Sequence, residues 1–235
     1  MTDKLFSYLS LASDVGESDY IKDLSHQFVV AELAGSYHSA LFSYHLIFIC
    51  YFYQIFHKMK LWLPDKHHLA VVSFSADRRK KFRDATDPTA YVHKGNQESP
   101  MFEFLNVFSD CEKVVSRCKK LVKYRNEHLG HVNYLLVSKD EFEKQITEYE
   151  EVAELIHRLT HKELAKVFDE YVRSLDPAEN LTKDDLELGL IIPQRLSPID
   201  LCSLFAECEL NPGTVQEKIK TILLDDYHID VTLLQ

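Results

Sequence analysis

Glycine and proline are scarce, with 6 Gly and 7 Pro in 235 residues. So few turn formers and helix breakers disfavour a fold of many short strands, and a mostly helical chain is expected. The five cysteines, Cys50, Cys111, Cys118, Cys202 and Cys208, contain no C-x-x-C pair and are odd in number. That argues against a disulfide framework and against a zinc site, so reduced thiols and no metal are expected. The chain opens without a charged-then-apolar leader. Its longest apolar run, Ala40 to Phe56, is interrupted by Ser43, His45 and Gln54. The run falls short of the roughly 18–20 apolar residues that span a bilayer. It reads as the buried core helix of a cytoplasmic protein without membrane contact. Strand-like alternation is confined to residues 69–75 and 132–137.

What is present supports a core. Hydrophobic residues make up 46% of the chain, enough to exclude global disorder. Formal net charge is −10, a balance that by itself disfavours nucleic acid as a partner. The charge is uneven, however. Residues 1–138 hold 17 Lys and Arg against 15 Asp and Glu, and residues 139–235 hold 10 against 22. The acidity follows the basic stretches instead of surrounding them.

Residues 1–16 carry a mild helical pattern ending at Gly16. Glu17 to about Lys60 reads as one long or broken helix with Gly35 as its weak point. From there Ala34, Tyr37, Leu41, Tyr44, Phe48, Tyr51 and Ile55 recur at helical steps, and Leu46, Ile49, Phe52 and Phe56 make the other sides apolar. Such a helix is central and packed on several sides. One of its histidines or tyrosines is a candidate to reach an active site or a dimer seam. Leu63-Pro64-Asp65 ends it. The RRKKFR run that follows, with Arg78, Arg79, Lys80 and Lys81, is a solvated face or a contact for RNA backbone. Glu103 to Leu129 reads as a second strong helix with Lys113, Arg117, Lys119, Lys120 and Lys123 on its polar side. Capping patterns open further helices at Ser138-Lys-Asp-Glu141, Thr160-His-Lys-Glu163, Thr182-Lys-Asp-Asp185 and Ser197-Pro-Ile-Asp200, and Gly213 to about Leu224 is a last one. The expected fold is all-α: a helical bundle over residues 1–175 and a small acidic helical appendix over 176–235.

The chemistry concentrates in Lys119–Asn133, KKLVKYRNEHLGHVN. In an unbroken helix Arg125 and His131 would be about 240° apart. Gly130 is placed to stop the helix, so that His131 folds back beside Arg125. His128, three residues on, shares Arg125's face. A guanidinium holds phosphate oxygens, and an imidazole moves protons near neutral pH. With RNA as substrate the 2′-OH is the nucleophile, and no metal is needed. Lys123, Glu127, His128 and Tyr134 are candidate supporting groups, and Lys119 and Lys120 are candidate RNA contacts.

Arg125-Asn126 followed by Gly130-His131, with five residues between Arg125 and His131, resembles the R-x4-6-H motif of HEPN domains (higher eukaryotes and prokaryotes nucleotide-binding). The segment Ser36 to Phe48, SYHSALFSYHLIF, is similar to that family's aromatic core helix, and the wider stretch looks like abortive-infection HEPN proteins. The likeness covers roughly residues 20–160 and leaves 176–235 unaccounted for. It implies an α-helical bundle that dimerises with two motifs facing one cleft. Arg125 and His131 would be the catalytic pair, with Asn126 orienting the phosphate or a partner side chain. The implied activity is metal-independent endoribonuclease cleavage of single-stranded RNA or tRNA, leaving a 2′,3′-cyclic phosphate and a 5′-hydroxyl, in a toxin or an antiviral defence effector without a cofactor. The alternatives are a non-catalytic HEPN module that binds RNA, nucleotide or protein, and the neutralised half of a toxin–antitoxin pair. The acidic appendix is a candidate shield for the basic cleft or a seat for a regulatory protein.

Overall fold

A computed structural model describes residues 4–11, 15–92, 98–129, 136–175, 181–207 and 214–229. Among them the secondary structure is helical throughout, with no strand. They gather into two compact units, residues 14–159 and residues 1–13 with 160–235.

The 14–159 unit begins with α1 (Val15–Leu33) and α2 (Tyr37–Trp62). The break between them is a Schellman cap. Gly35 takes φ +69°, its N–H reaches Glu32 O at 2.9 Å, and Ser36 N–H reaches Ala31 O at 2.8 Å. Glycine adopts this left-handed conformation without a Cβ clash. α2 is long and apolar enough to cross a bilayer by length and composition, yet 72% of its most apolar window is buried inside the chain. It is the core helix: Leu41, Tyr44, Ile47, Phe48, Tyr51, Phe52, Ile55 and Phe56 are all buried. Leu63 ends it, and Pro64 opens α3 (Pro64–Val72) at a position that needs no N–H donor. α4 (Ala76–Arg83) follows. An aromatic cluster joins these elements, with Phe104 ringed by Phe56, Phe74, Phe82 and Tyr91 at centroid distances of 3.9–6.4 Å. After the short α5 (Glu98–Met101) comes a 3-10 segment, Phe102–Val107. Next are α6 (Glu112–Tyr124), a π-helical turn over Arg125–Leu129, and α7 (Lys139–Ser174). Arg117 ties α6 to α7 by donating to Glu148 at 2.8 Å and Glu151 at 2.5 Å.

The other unit holds a 3-10 turn (Lys4–Tyr8), α7 from Thr160 onward, α8 (Lys183–Leu186), α9 (Ile192–Gln194), α10 (Pro198–Glu207) and α11 (Thr214–Tyr227). The capping boxes expected at Thr182 and Ser197 are formed. Thr182 Oγ1 accepts from Asp185 N while Asp185 accepts from Thr182 N, and Ser197 and Asp200 do the same. Gly189 passes so close to Tyr171 that a Cβ would lie 2.7 Å from the ring.

Four local expectations need correction. Within residues 1–16, Lys4–Tyr8 form a 3-10 turn, and α1 runs through Gly16. Residues 69–72 belong to α3, not to a strand. The expected helix Glu103–Leu129 is broken at Phe108–Cys111, where Asp110 takes φ 60°. Its first part tightens to 3-10 and its end widens to π. Thr160 starts no helix, because α7 passes straight through it and Thr160 is buried within it. A capping pattern inside an amphipathic stretch does not stop a helix whose apolar face continues. Ser138 does cap α7, accepting from Glu141 N at 3.2 Å, and the Glu141 carboxylate accepts from Gln145 at 2.8 Å. The glycine stop at Gly130 and residues 132–135 of the strand candidate 132–137 lie outside the described residues.

Candidate active site

α6 is strongly two-sided. Val114, Val115, Cys118, Leu121 and Val122 are buried, and the lysines lie opposite. At its end the Arg125 N–H is shared between Leu121 O and Val122 O, and the backbone widens into the π turn anchored by buried Leu129. π turns of this kind recur at functional sites, because the extra residue re-aims the side chains that follow. Here the turn leaves Asn126 and Glu127 exposed and Arg125 and His128 half-buried. His128 stacks on Tyr124 at 4.5 Å between centroids, and Glu127 lies 3.7 Å from Lys123. Burial, with Glu141 nearby, pushes the Tyr124 phenol up to about 12.

Arg125 points inward onto a polar chain that crosses the core. Its Nη2 donates to Glu98 Oε2. The same oxygen lies 3.1 Å from His45 Nε2, and His45 Nδ1 lies 2.7 Å from the Tyr149 hydroxyl. His45 and Tyr149 are fully buried. Burial lowers the His45 pKa, an effect that Arg125 adds to and Glu98 partly offsets. For Glu98, burial works toward a higher pKa, but His45 and Arg125 together bring it below the ordinary carboxylate value. The Tyr149 phenol is pushed up by burial and by Glu98. These directions fix the protons. An ionised Glu98 only accepts, so His45 carries its proton on Nε2, and its Nδ1 accepts from the Tyr149 O–H. Every hydrogen-bonding group in the chain from Tyr149 to Glu98 is thereby satisfied. At the far end, Arg125 Nε is buried with no hydrogen-bond partner among the described residues. Arg125 is thus a cation held in place by Glu98 with part of its side chain exposed, and a guanidinium so held can offset phosphate charge.

The structure brings Arg125, Asn126, Glu127, His128 and Lys123 together over about one turn. His131 and Tyr134 lie outside the described residues. Lys119 and Lys120 line a shallow hollow of about 460 Å3 with Lys123, Glu112 and Asn106, and Lys119 is paired with Glu103 at 3.0 Å. Arg78, Arg79, Lys80 and Lys81 are on α4, where Lys81 donates to Val92 O at 2.8 Å. Sequence reading missed Glu98 and Tyr149 and named His45 only as one of several polar residues in α2. The available signal was the helix itself: a histidine in a helix buried on every side must find hydrogen-bond partners. No family model, curated protein or solved structure matches the chain.

Proposed function

We propose that the chain is a metal-independent endoribonuclease of HEPN type, acting on single-stranded RNA or tRNA in the cytoplasm as a toxin or defence effector. The observation that carries this reading is Arg125, half-buried on a π turn and braced by Glu98, His45 and Tyr149. In the proposed reaction the ribose 2′-oxygen attacks phosphorus and the bond from phosphorus to the 5′-oxygen breaks. His131 takes the 2′-OH proton, and that proton passes on to the leaving 5′-oxygen. Arg125 offsets the charge that builds on the phosphoryl oxygens, Asn126 orients the phosphate, and Glu98 positions the guanidinium. Two copies facing each other across one cleft is the assembly proposed.

Full-length protein incubated with RNA in EDTA tests this. Cleavage to 2′,3′-cyclic phosphate ends is expected, lost in Arg125→Ala and in His131→Ala. Cleavage that survives both substitutions, or that needs a divalent metal, would sink the reading. A second reading, a non-catalytic binding module, is favoured by one observation: Glu98 already balances the charge of Arg125. Absence of cleavage with retained RNA binding would select it.

A further inference from the structure

α3 and α4 enclose a groove of about 360 Å3 that shares no residue with the Arg125 cluster. Its floor is apolar, Val71 and Val72, and its polar lining is basic: His68, Arg79, Lys80 and Arg83. A second hollow of about 190 Å3 adjoins it through His68, Val71 and Arg83 and adds Lys60 and His67. Among the described residues, no carboxylate lines either hollow. Arg79 and Lys80 are exposed, and their side chains have no hydrogen-bond or ion-pair partner among the described residues. Arg83 has one acidic neighbour, Asp84 at 3.5 Å, with both side chains solvated. His67, which lines the second hollow, is itself buried. Burial, then Lys60, His57 and His68, bring its pKa down to about 4.

Solvated cations gathered on one face of an otherwise acidic protein leave a local positive field that draws anions to it. Arg79, Lys80 and Arg83 lie on successive turns of one helix face, with Arg79 and Arg83 about 6 Å apart along the axis. Two guanidinium forks and an ammonium spaced in this way suit consecutive phosphates better than a single compact anion. We infer that the α3–α4 groove holds the sugar-phosphate backbone of a single-stranded RNA, outside the reacting nucleotides. The inference rests on the ribonuclease reading for its ligand. It gives that reading a source of binding energy remote from the chemistry. Of the four α4 cations singled out by sequence, it retains Arg79 and Lys80. It drops Arg78 and Lys81, which do not line the groove, and adds Arg83 and His68.

The test is RNA binding by the full chain in the Arg125→Ala background, so that nothing is cleaved. Fluorescence anisotropy with a labelled single-stranded RNA is followed between about 50 and 200 mM salt. Adding Arg79→Gln, Lys80→Gln and Arg83→Gln is expected to weaken binding about tenfold or more. It should also flatten the salt slope by about 2, since each phosphate no longer neutralised removes roughly 0.7. Single Arg79→Gln and Arg83→Gln variants, each flattening the slope by about 0.7, keep the test valid if the triple variant misfolds. Affinity and slope equal to those of Arg125→Ala alone would overturn the inference. So would polyglutamate binding as tightly as RNA and being released by the same substitutions, since that would make the groove a peptide site. Failure of the ribonuclease reading shows separately, as wild-type protein that binds RNA through the groove and leaves it intact in EDTA.

Discussion

α4 and α6 look alike in sequence and differ in what their charges are free to do. α4 carries five basic residues in eight, and α6 carries Lys113, Arg117, Lys119, Lys120 and Lys123 in thirteen. On α6 three of the five cations are engaged: Arg117 by Glu148 and Glu151, Lys119 by Glu103, and Lys123 by Glu127. Arg125, in the π turn beyond, is engaged by Glu98. On α4, Arg79 and Lys80 have no such partner among the described residues. A count of basic residues therefore does not measure affinity for phosphate, because a paired cation contributes little net field. The division implies separate tasks. α6 and its π turn position one cation for chemistry, and α4 supplies loose cations for binding.

The largest effect should come from splitting these tasks. Arg125→Ala is expected to lower the cleavage rate at saturating RNA by about 10²–10³-fold, the usual cost of losing one preorganised charge at a reacting phosphate. RNA affinity measured by anisotropy should change by less than about threefold, since a single phosphate carries little of the total. The α4 triple variant should do the reverse, weakening binding while sparing the rate at saturation. If both variants move affinity and rate together, the two helices do not divide the work.

Tyr149→Phe tests the brace behind Arg125. It removes the O–H that donates to His45 Nδ1 and leaves a buried acceptor unsatisfied, at a cost of about 1–3 kcal/mol. Urea denaturation should show the loss, and kcat should fall with KM nearly unchanged because the guanidinium is less firmly placed. Unchanged kcat would make the chain from Tyr149 to Glu98 purely structural.

Acid should weaken the 14–159 unit before its carboxylates titrate. The pKa of buried His67 falls to about 4, against about 6.5 unfolded. Between those values the unfolded chain binds a proton that the native state refuses, so stability present above about pH 6.5 erodes as pH falls toward 4. At pH 5 the loss is about 2 kcal/mol from this residue, and His45, lowered for the same leading reason, adds to it. Glu98, lowered by its partners, contributes stability above the unfolded carboxylate value that is lost only at more acid pH. His67→Phe should flatten the denaturation profile between pH 6.5 and 4, and an unaltered profile would show that burial does not hold the His67 proton off in the native state.

Much of the scaffold was legible in sequence because local chemistry decides it. Gly35, the Leu63-Pro64 break, Ser138, and the Thr182 and Ser197 caps all act within four residues of themselves. The misreadings arose where a distant partner decides. Thr160 is buried along a helix that packing keeps continuous, and the α6 terminus widens to π where Leu129 is drawn into the core. The site divides in the same way. Arg125, Asn126 and His128 share one turn and could be grouped by spacing. Glu98 lies 27 residues from Arg125 and 53 from His45, and Tyr149 lies 104 from His45. No periodicity links such separations. Only the need of a buried histidine for partners pointed to them.

The smallest expected effect concerns whether pairing is what silences α6. The Lys119–Glu103 pair is about half solvated, so it is worth roughly 0–1 kcal/mol, and a neutral pair attracts little phosphate. Lys119→Ala should therefore change RNA affinity by less than about twofold, within the range of one screened charge. Glu103→Ala frees the ammonium without adding a charge of its own. It should strengthen binding at low salt and steepen the salt slope by about 0.7, the increment for one more neutralised phosphate. If Lys119→Ala instead costs as much affinity as Arg79→Gln, the pairing does not silence Lys119, and the contrast between the two helices would rest on the shape of the α3–α4 groove alone.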